Sequence, residues 1–210
     1  MNFSNDLELP QVKKLIEFAR PLSQEKEKFW LTQYLQLQSL NIYFHYATTL
    51  VRIQEENLKL MENGEHKNFS SHEAYAESEL RIYSSALGAY AHMRTCLHFA
   101  RKLSEAIPND KNLEDFRKDQ KEWAKNLIDK RDKLQAHPYQ GWAQVWKRNM
   151  RSSDGKIGFP VRNLIDPTKN LELIINPRED LEILRKYLEK LMVHLERIYQ
   201  KQKLKTNGLK

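Results

Sequence analysis

The sequence predicts an all-α protein, a bundle of long helices with a small β-hairpin-like insertion before the C-terminal helix. Three observations predict it. Only 6 Gly and 7 Pro stand among 210 residues, so few positions turn the chain sharply. Apolar residues recur at three- and four-residue spacing along most of the length. After about residue 155 that spacing gives way to short β-rich runs around a turn. No internal repeat or low-complexity linker divides the chain, so a single helical domain over residues 1–210 is expected.

The elements follow in order. Val12, Leu15, Ile16 and Ala19 form an i, i+3, i+4, i+7 stripe that should end before Pro21. A second helix is expected from about Glu25 to Asn63, carrying Phe29, Trp30, Tyr34, Leu37, Leu40, Phe44, Ala47, Leu50, Val51 and Leu58. Gly64 suits its left-handed C-cap. A third begins near Ser71, carries Tyr83, Leu87, Tyr90, Ala91, Leu97 and Leu103, and closes at "AIPND". A fourth, broken near Lys111, carries Leu113, Phe116, Trp123, Leu127 and Leu134 up to the His137–Pro138 step. "GWAQVWKRNM" then reads as helical, with Trp142, Val145, Trp146 and Met150 on one face; core packing explains its tryptophans better than base stacking does.

"KIGFPVRNLI" and "LELIIN", joined by "DPTKN", read as two short strands, and Pro160 should place the first at a sheet edge. The final helix has the clearest start. Asn176 can cap it, Pro177 fits the first helical position, and Glu179 completes a capping-box-like spacing. Leu181, Leu184, Leu188, Leu191, Leu195, Ile198 and Tyr199 supply its core stripe, and the tail "KQKLKTNGLK" should fray.

Composition narrows the function classes. With 40% hydrophobic and 30% charged residues, the chain can build a core beneath solvated helix faces and is not disordered. No apolar run approaches the roughly 20 residues that span a bilayer, so no membrane partner is expected. "MNFSNDLELPQVKK" lacks the basic-then-apolar pattern of a secretory leader, and a cytoplasmic protein is expected. Cys96 is the single cysteine, which excludes an intrachain disulfide and a cysteine-based metal motif; it reads as a small buried apolar residue.

The net charge is +7, and most of it is local. Residues 117–156 hold eleven Lys and Arg against five Asp and Glu, an excess of 11 − 5 = +6. Such density suits a polyanion such as RNA, because phosphate contacts dominate non-specific affinity. Lys133, Lys147, Arg148 and Arg151 are the candidates for backbone phosphate contacts, with simple solvation as the alternative.

Most catalytic signatures are missing: the sequence contains no HExxH, EF-hand loop, P-loop, GxSxG or GxGxxG. His45, His66, His72, His92, His98 and His194 are scattered without ligand spacing, so no metal site and no cofactor are expected. What remains is "RDKLQAHP" at residues 131–138. Arg followed by His after four to six residues is expected roughly once by chance in this composition, so the bare pattern carries nothing. The context adds weight: Asp132 beside the Arg, Ala136 before the His, and the surrounding basic density.

In that context "RDKLQAH" resembles the signature of HEPN domains (higher eukaryotes and prokaryotes nucleotide-binding), particularly the abortive-infection type. The resemblance is sharp over these seven residues and architectural elsewhere. It implies a helical bundle, commonly dimeric, acting as a metal-independent endoribonuclease in a toxin or phage-defence role, with a separate antitoxin protein as a possible partner. Other members have lost catalysis and serve as binding modules for a protein, nucleotide or RNA. Arg131, Asp132 and His137 match the signature and carry the implied catalytic roles.

Geometry constrains such a site. Six residues of α-helix turn the chain about 600°, leaving Arg131 and His137 roughly 120° apart and about 9 Å apart along the axis. Either the helix breaks, which Pro138 favours, or two copies meet and share a cleft. The plain alternative is a helix end with exposed charges at Arg131 and Asp132, and His137 favourable to the dipole.

Overall fold

A computed structural model of the chain describes residues 9–24, 28–62, 72–107, 110–119, 121–134, 142–144, 152–153, 156–163, 168 and 171–207. Among the described residues are six helices: α1 (Pro10–Gln24), α2 (Lys28–Glu62), α3 (His72–Glu105), α4 (Lys111–Asp119), α5 (Lys121–Leu134) and α6 (Pro177–Asn207). A small sheet stands between α5 and α6, formed by β1 (Trp142–Gln144), β2 (Ser152–Ser153), β3 (Lys156–Asn163) and β4 (Leu171–Ile175). The fold is therefore a helical one with a β insertion ahead of the last helix, as the sequence predicts. The chain divides into two compact units, and α2, α3, α5 and α6 contribute residues to both.

The first unit comprises Met1–His45, Thr95–Glu122 and Glu182–Lys210. α1 starts at the expected kind of boundary: Pro10 occupies the first position, and the Val12 and Lys13 amides donate to the Leu9 carbonyl at 3.0 and 3.2 Å. Contrary to expectation the helix continues through Pro21 to Gln24. Proline deprives the Glu17 carbonyl of its partner, but both Glu17 and Pro21 lie on the exposed face, where the carbonyl is open to solvent.

Val12, Leu15, Leu37, Leu40, Leu103, Leu113, Leu188 and Leu195 are among the buried side chains that fill this unit. Phe18, Phe29, Trp30 and Tyr199 cluster with ring centroids 5.1–6.5 Å apart, and the Tyr199 hydroxyl donates to Gln33 Oε1 at 2.5 Å. Cys96 is fully buried with its thiol 3.8 Å from the Leu40 carbonyl, and burial pushes its pKa well up, leaving an inert apolar group. After residue 110 the structure describes α4, which Asp110 caps by accepting the Leu113 amide at 3.1 Å, and α5, described from Lys121. At the other end of the chain α6 runs on to Asn207, in keeping with the helix-favouring Lys, Gln and Leu there.

The second unit comprises Tyr46–Arg94 and Trp123–Leu181. Here α2 and α3 run antiparallel: Ser78 Oγ donates to Asn57 Oδ1 at 3.3 Å, and Gly88 faces Leu50. A Cβ at Gly88 would stand 2.8 Å from Leu50 Cδ1, so a larger residue here would require the Leu50 methyl to move. The deepest face of α3 is Ile82, Ala86, Ala89, Tyr90 and Met93, whereas Tyr83, Leu87 and Ala91 are only half-buried.

β3 is the centre of the sheet. β4 pairs with it antiparallel from Ile157↔Ile175 to Val161↔Leu171. On its other side β1 pairs with residues 161–163 and β2 with residues 156–157. Pro160 was expected to mark an edge strand. Instead it lies in β3 opposite Glu172 of β4, at a position with which no described residue of β1 or β2 pairs. Trp142–Gln144, expected as the start of a helix, is strand β1; pairing with β3 overrides the i, i+4 pattern. Val145, Trp146 and Met150 lie outside the described residues, as do the Gly64 cap and Ser71.

Candidate functional site

α5 carries the motif's arginine. It presents Leu127 to the core and ends its described course at Leu134. What holds this helix in register is Lys130, whose side chain is mostly buried. Its ammonium donates to both oxygens of Asp180, at 3.0 Å to Oδ1 and 2.7 Å to Oδ2. Asp180 is itself buried in the first turns of α6 and also accepts the Tyr90 hydroxyl from α3, at 2.5 Å to Oδ2.

The local sequence explains why Asp180 can be buried charged. Asn176 caps α6, with its Oδ1 accepting the Glu179 amide at 3.1 Å, and the Asp180 amide closes the first turn on the Asn176 carbonyl at 3.0 Å. A carboxylate in the opening turns lies at the positive end of the helix dipole. Burial above all, then the adjacent Asp180 carboxylate, drives the Tyr90 phenol far above its ordinary pKa. Tyr90 is thus a fixed hydrogen-bond donor, and Asp180 is held between a cation and that donor. The three residues form a buried clamp joining α3, α5 and the start of α6.

One residue further along α5, about 100° around the helix, stands Arg131. It is 8% exposed, and its Nη2 lies 2.8 Å from Asp132 Oδ1. This corrects the plain alternative from sequence: Arg131 is not an ordinary surface charge at a helix end. Removing a guanidinium from water costs several kcal/mol unless it is paired, and Asp132 supplies the compensating charge. The arrangement can hold a cationic fork with a preset orientation, the requirement for gripping a phosphate.

Lys133 falls in α5, but its side chain, like His137, Lys147, Arg148 and Arg151 altogether, lies outside the described residues. The structure therefore brings Arg131 and Asp132 together and leaves the rest of the expected set undescribed. It adds Tyr90, Lys130 and Asp180, which sequence reasoning missed. They are separated by 50 and 90 positions, so no local pattern announces them; Lys130 registers in the sequence only as one more basic residue.

The first unit holds another feature of the basic segment. Arg117, Lys118 and Lys121, with Glu114, line an open cavity of about 230 Å³, while Arg117 also approaches Ser104 Oγ at 3.5 Å. Among the described residues no group of three His, Cys, Asp or Glu side chains is placed to hold a metal ion. No described helix is long and apolar enough to cross a membrane. Compared with protein-family models, curated proteins and solved structures, the chain matches none.

Proposed function

We propose that the chain is a metal-independent endoribonuclease of the HEPN kind, built on Arg131, Asp132 and His137. The observation that carries this reading is the buried, ion-paired guanidinium of Arg131, six residues ahead of His137 on a helix clamped through Lys130. In the proposed reaction the 2′-hydroxyl of one nucleotide attacks the adjacent phosphorus. The 2′-O–P bond forms, the P–O5′ bond breaks, and a 2′,3′-cyclic phosphate and a 5′-hydroxyl result.

His137 moves the proton, as base toward the 2′-hydroxyl or acid toward the leaving oxygen, because imidazole titrates near neutrality. Arg131 holds the phosphate and offsets the charge that grows on its oxygens, while Asp132 orients the guanidinium. DNA lacks the attacking hydroxyl and is not a substrate. Lys133, Lys147, Arg148 and Arg151 supply candidate contacts to the RNA backbone. Two copies sharing a cleft would bring two Arg–His pairs to one phosphate. The toxin or phage-defence role, any antitoxin partner and a cytoplasmic location belong to this proposal through the resemblance and the sequence.

The test is RNA cleavage in EDTA by the full chain and its His137→Ala variant. Cleavage leaving cyclic-phosphate ends, falling at least about 100-fold in the variant while the fold is intact, is expected. Equal cleavage by both proteins rejects the site. One observation favours a second reading, a catalytically silent HEPN-like binding module: the Arg131 guanidinium is already engaged by Asp132. That reading predicts RNA or partner binding that survives His137→Ala, with no cleavage by either protein.

A further inference from the structure

α6 carries a row of cations on its outer face. Lys186, Lys190, Arg197 and Lys201 are all exposed, and all lie in the first unit. At about 100° and 1.5 Å per residue, the four fall within roughly 60° of one another and span about 22 Å of the helix. From Arg185 to Lys205 the helix holds seven Lys and Arg against two Glu. That excess of 7 − 2 = +5 is separate from the basic segment at residues 117–156.

Both acids of that stretch are engaged off the row. Glu189 pairs with Arg185 at 3.1 Å, and Glu196 pairs with Lys14 of α1 at 2.6 Å. Lys203 leaves the row as well, its ammonium 5.2 Å from the centre of the Phe18 ring. Glu182, one turn ahead of Lys186, marks where the row begins. On the flanking helix α1, Lys13, Lys14 and Arg20 are exposed against Glu17. α4 meets α6 where Phe116 stacks on Tyr187, and there Arg117 and Lys118 stand against Glu114 and Asp115. The row also contains two like-charge pairs at i, i+4 spacing, Lys186 with Lys190 and Arg197 with Lys201. Like charges so placed repel and weaken a helix, and an external polyanion offsets that repulsion.

We infer that the row Lys186, Lys190, Arg197 and Lys201 binds the phosphate backbone of a single nucleic-acid strand, without reading its bases. Such a strand is an extended polyanion with regularly spaced charges, and a narrow row of single cations can follow it. An anionic membrane fits this face less well. A helix that lies on lipid buries a continuous apolar face. The apolar stripe of α6, with Leu184, Leu188, Leu191 and Leu195, is already buried within the first unit. Its outer face offers only Ile183, Val193 and Leu204, each about 15 Å from the next along the axis. The inference concerns the first unit alone. It needs neither Arg131 nor His137 and stands whether or not the protein cleaves RNA.

Fluorescence anisotropy of a labelled oligothymidylate, about 20 nucleotides long, with the full chain tests it. DNA has no 2′-hydroxyl, so binding is read without cleavage. Lys186→Gln/Lys190→Gln/Arg197→Gln/Lys201→Gln should keep the wild-type helicity, because glutamine favours helix and the four positions are exposed. Its affinity should fall at least about 10-fold at about 50 mM salt, and the slope of log K against log salt should become shallower by about 3. Lys186→Arg/Lys190→Arg/Lys201→Arg should bind as the wild type does. Lys28→Gln/Lys59→Gln/Arg94→Gln/Lys125→Gln removes the same charge from exposed positions elsewhere and should bind nearly as the wild type does. No binding by the wild type, equal losses in the two Gln variants, or an unchanged salt slope overturns the inference. So does wild-type adsorption to phosphatidylserine vesicles that the α6 variant loses while it still binds the oligonucleotide, which would assign the row to a lipid surface. RNA cleavage by the wild type and His137→Ala is scored separately, so failure of the row and failure of the nuclease reading are distinguishable.

Discussion

Two consecutive cations, Lys130 and Arg131, are both withdrawn from water on α5, and each is withdrawn onto a carboxylate. Their partners differ in kind. Asp132 is the next residue, so the Arg131 pair is written in the sequence, although its burial is not. Asp180 lies fifty positions away, and the Lys130 pair exists only because three elements converge. Breaking one side of a buried pair strands the other charge, so Lys130→Met and Asp180→Asn should each cost about 3 kcal/mol. The double variant should cost clearly less than the sum, since it strands neither; additivity within about 0.5 kcal/mol in urea melts would contradict the clamp. Asparagine retains an acceptor for the Tyr90 hydroxyl, which confines the comparison to the ion pair.

At the scale of elements, local rules read well where local forces decide. The start of α6 is the best case: Asn176, Pro177 and Glu179 do what their spacing implies, down to the 3.1 Å bond from the Glu179 amide. Asn176→Ala should therefore cost about 1 kcal/mol and Asn176→Asp almost nothing, measured by thermal unfolding. Because Asp180 sits in the turn that Asn176 closes, the Ala variant should also weaken the coupling between Lys130 and Asp180.

Local rules fail where another element outweighs them. Trp142–Gln144 has helical spacing and becomes a strand because β3 offers it a ladder. Pro160 implies an edge and sits in β3, which pairs with described strands on both sides.

For the molecule as a whole, buried phenols set an upper pH limit. Burial pushes Tyr187 up to about 12, a nearby Arg117 offsetting part of the rise, and drives Tyr90 and Tyr199 further still. The unfolded chain releases these protons near pH 10 while the folded chain keeps them. Their contribution is thus complete below pH 10 and is lost as pH rises through the folded-state values. Urea midpoints should hold from pH 8 to 9.5 and fall by pH 11. Tyr187→Phe should flatten that fall, and an unchanged slope would remove Tyr187 as a cause.

The sequence by itself determined the helical class, the β insertion, the Asn176 cap of α6, the basic segment and the placing of Asp132 beside Arg131. These depend on propensity, periodicity and nearest neighbours, which are local in the chain. Only the tertiary structure decided that Arg131 is buried and that Tyr90, Lys130 and Asp180 meet. Those outcomes depend on which surfaces other elements cover. Burial is a property of the neighbours a residue acquires, and a one-dimensional pattern does not contain them.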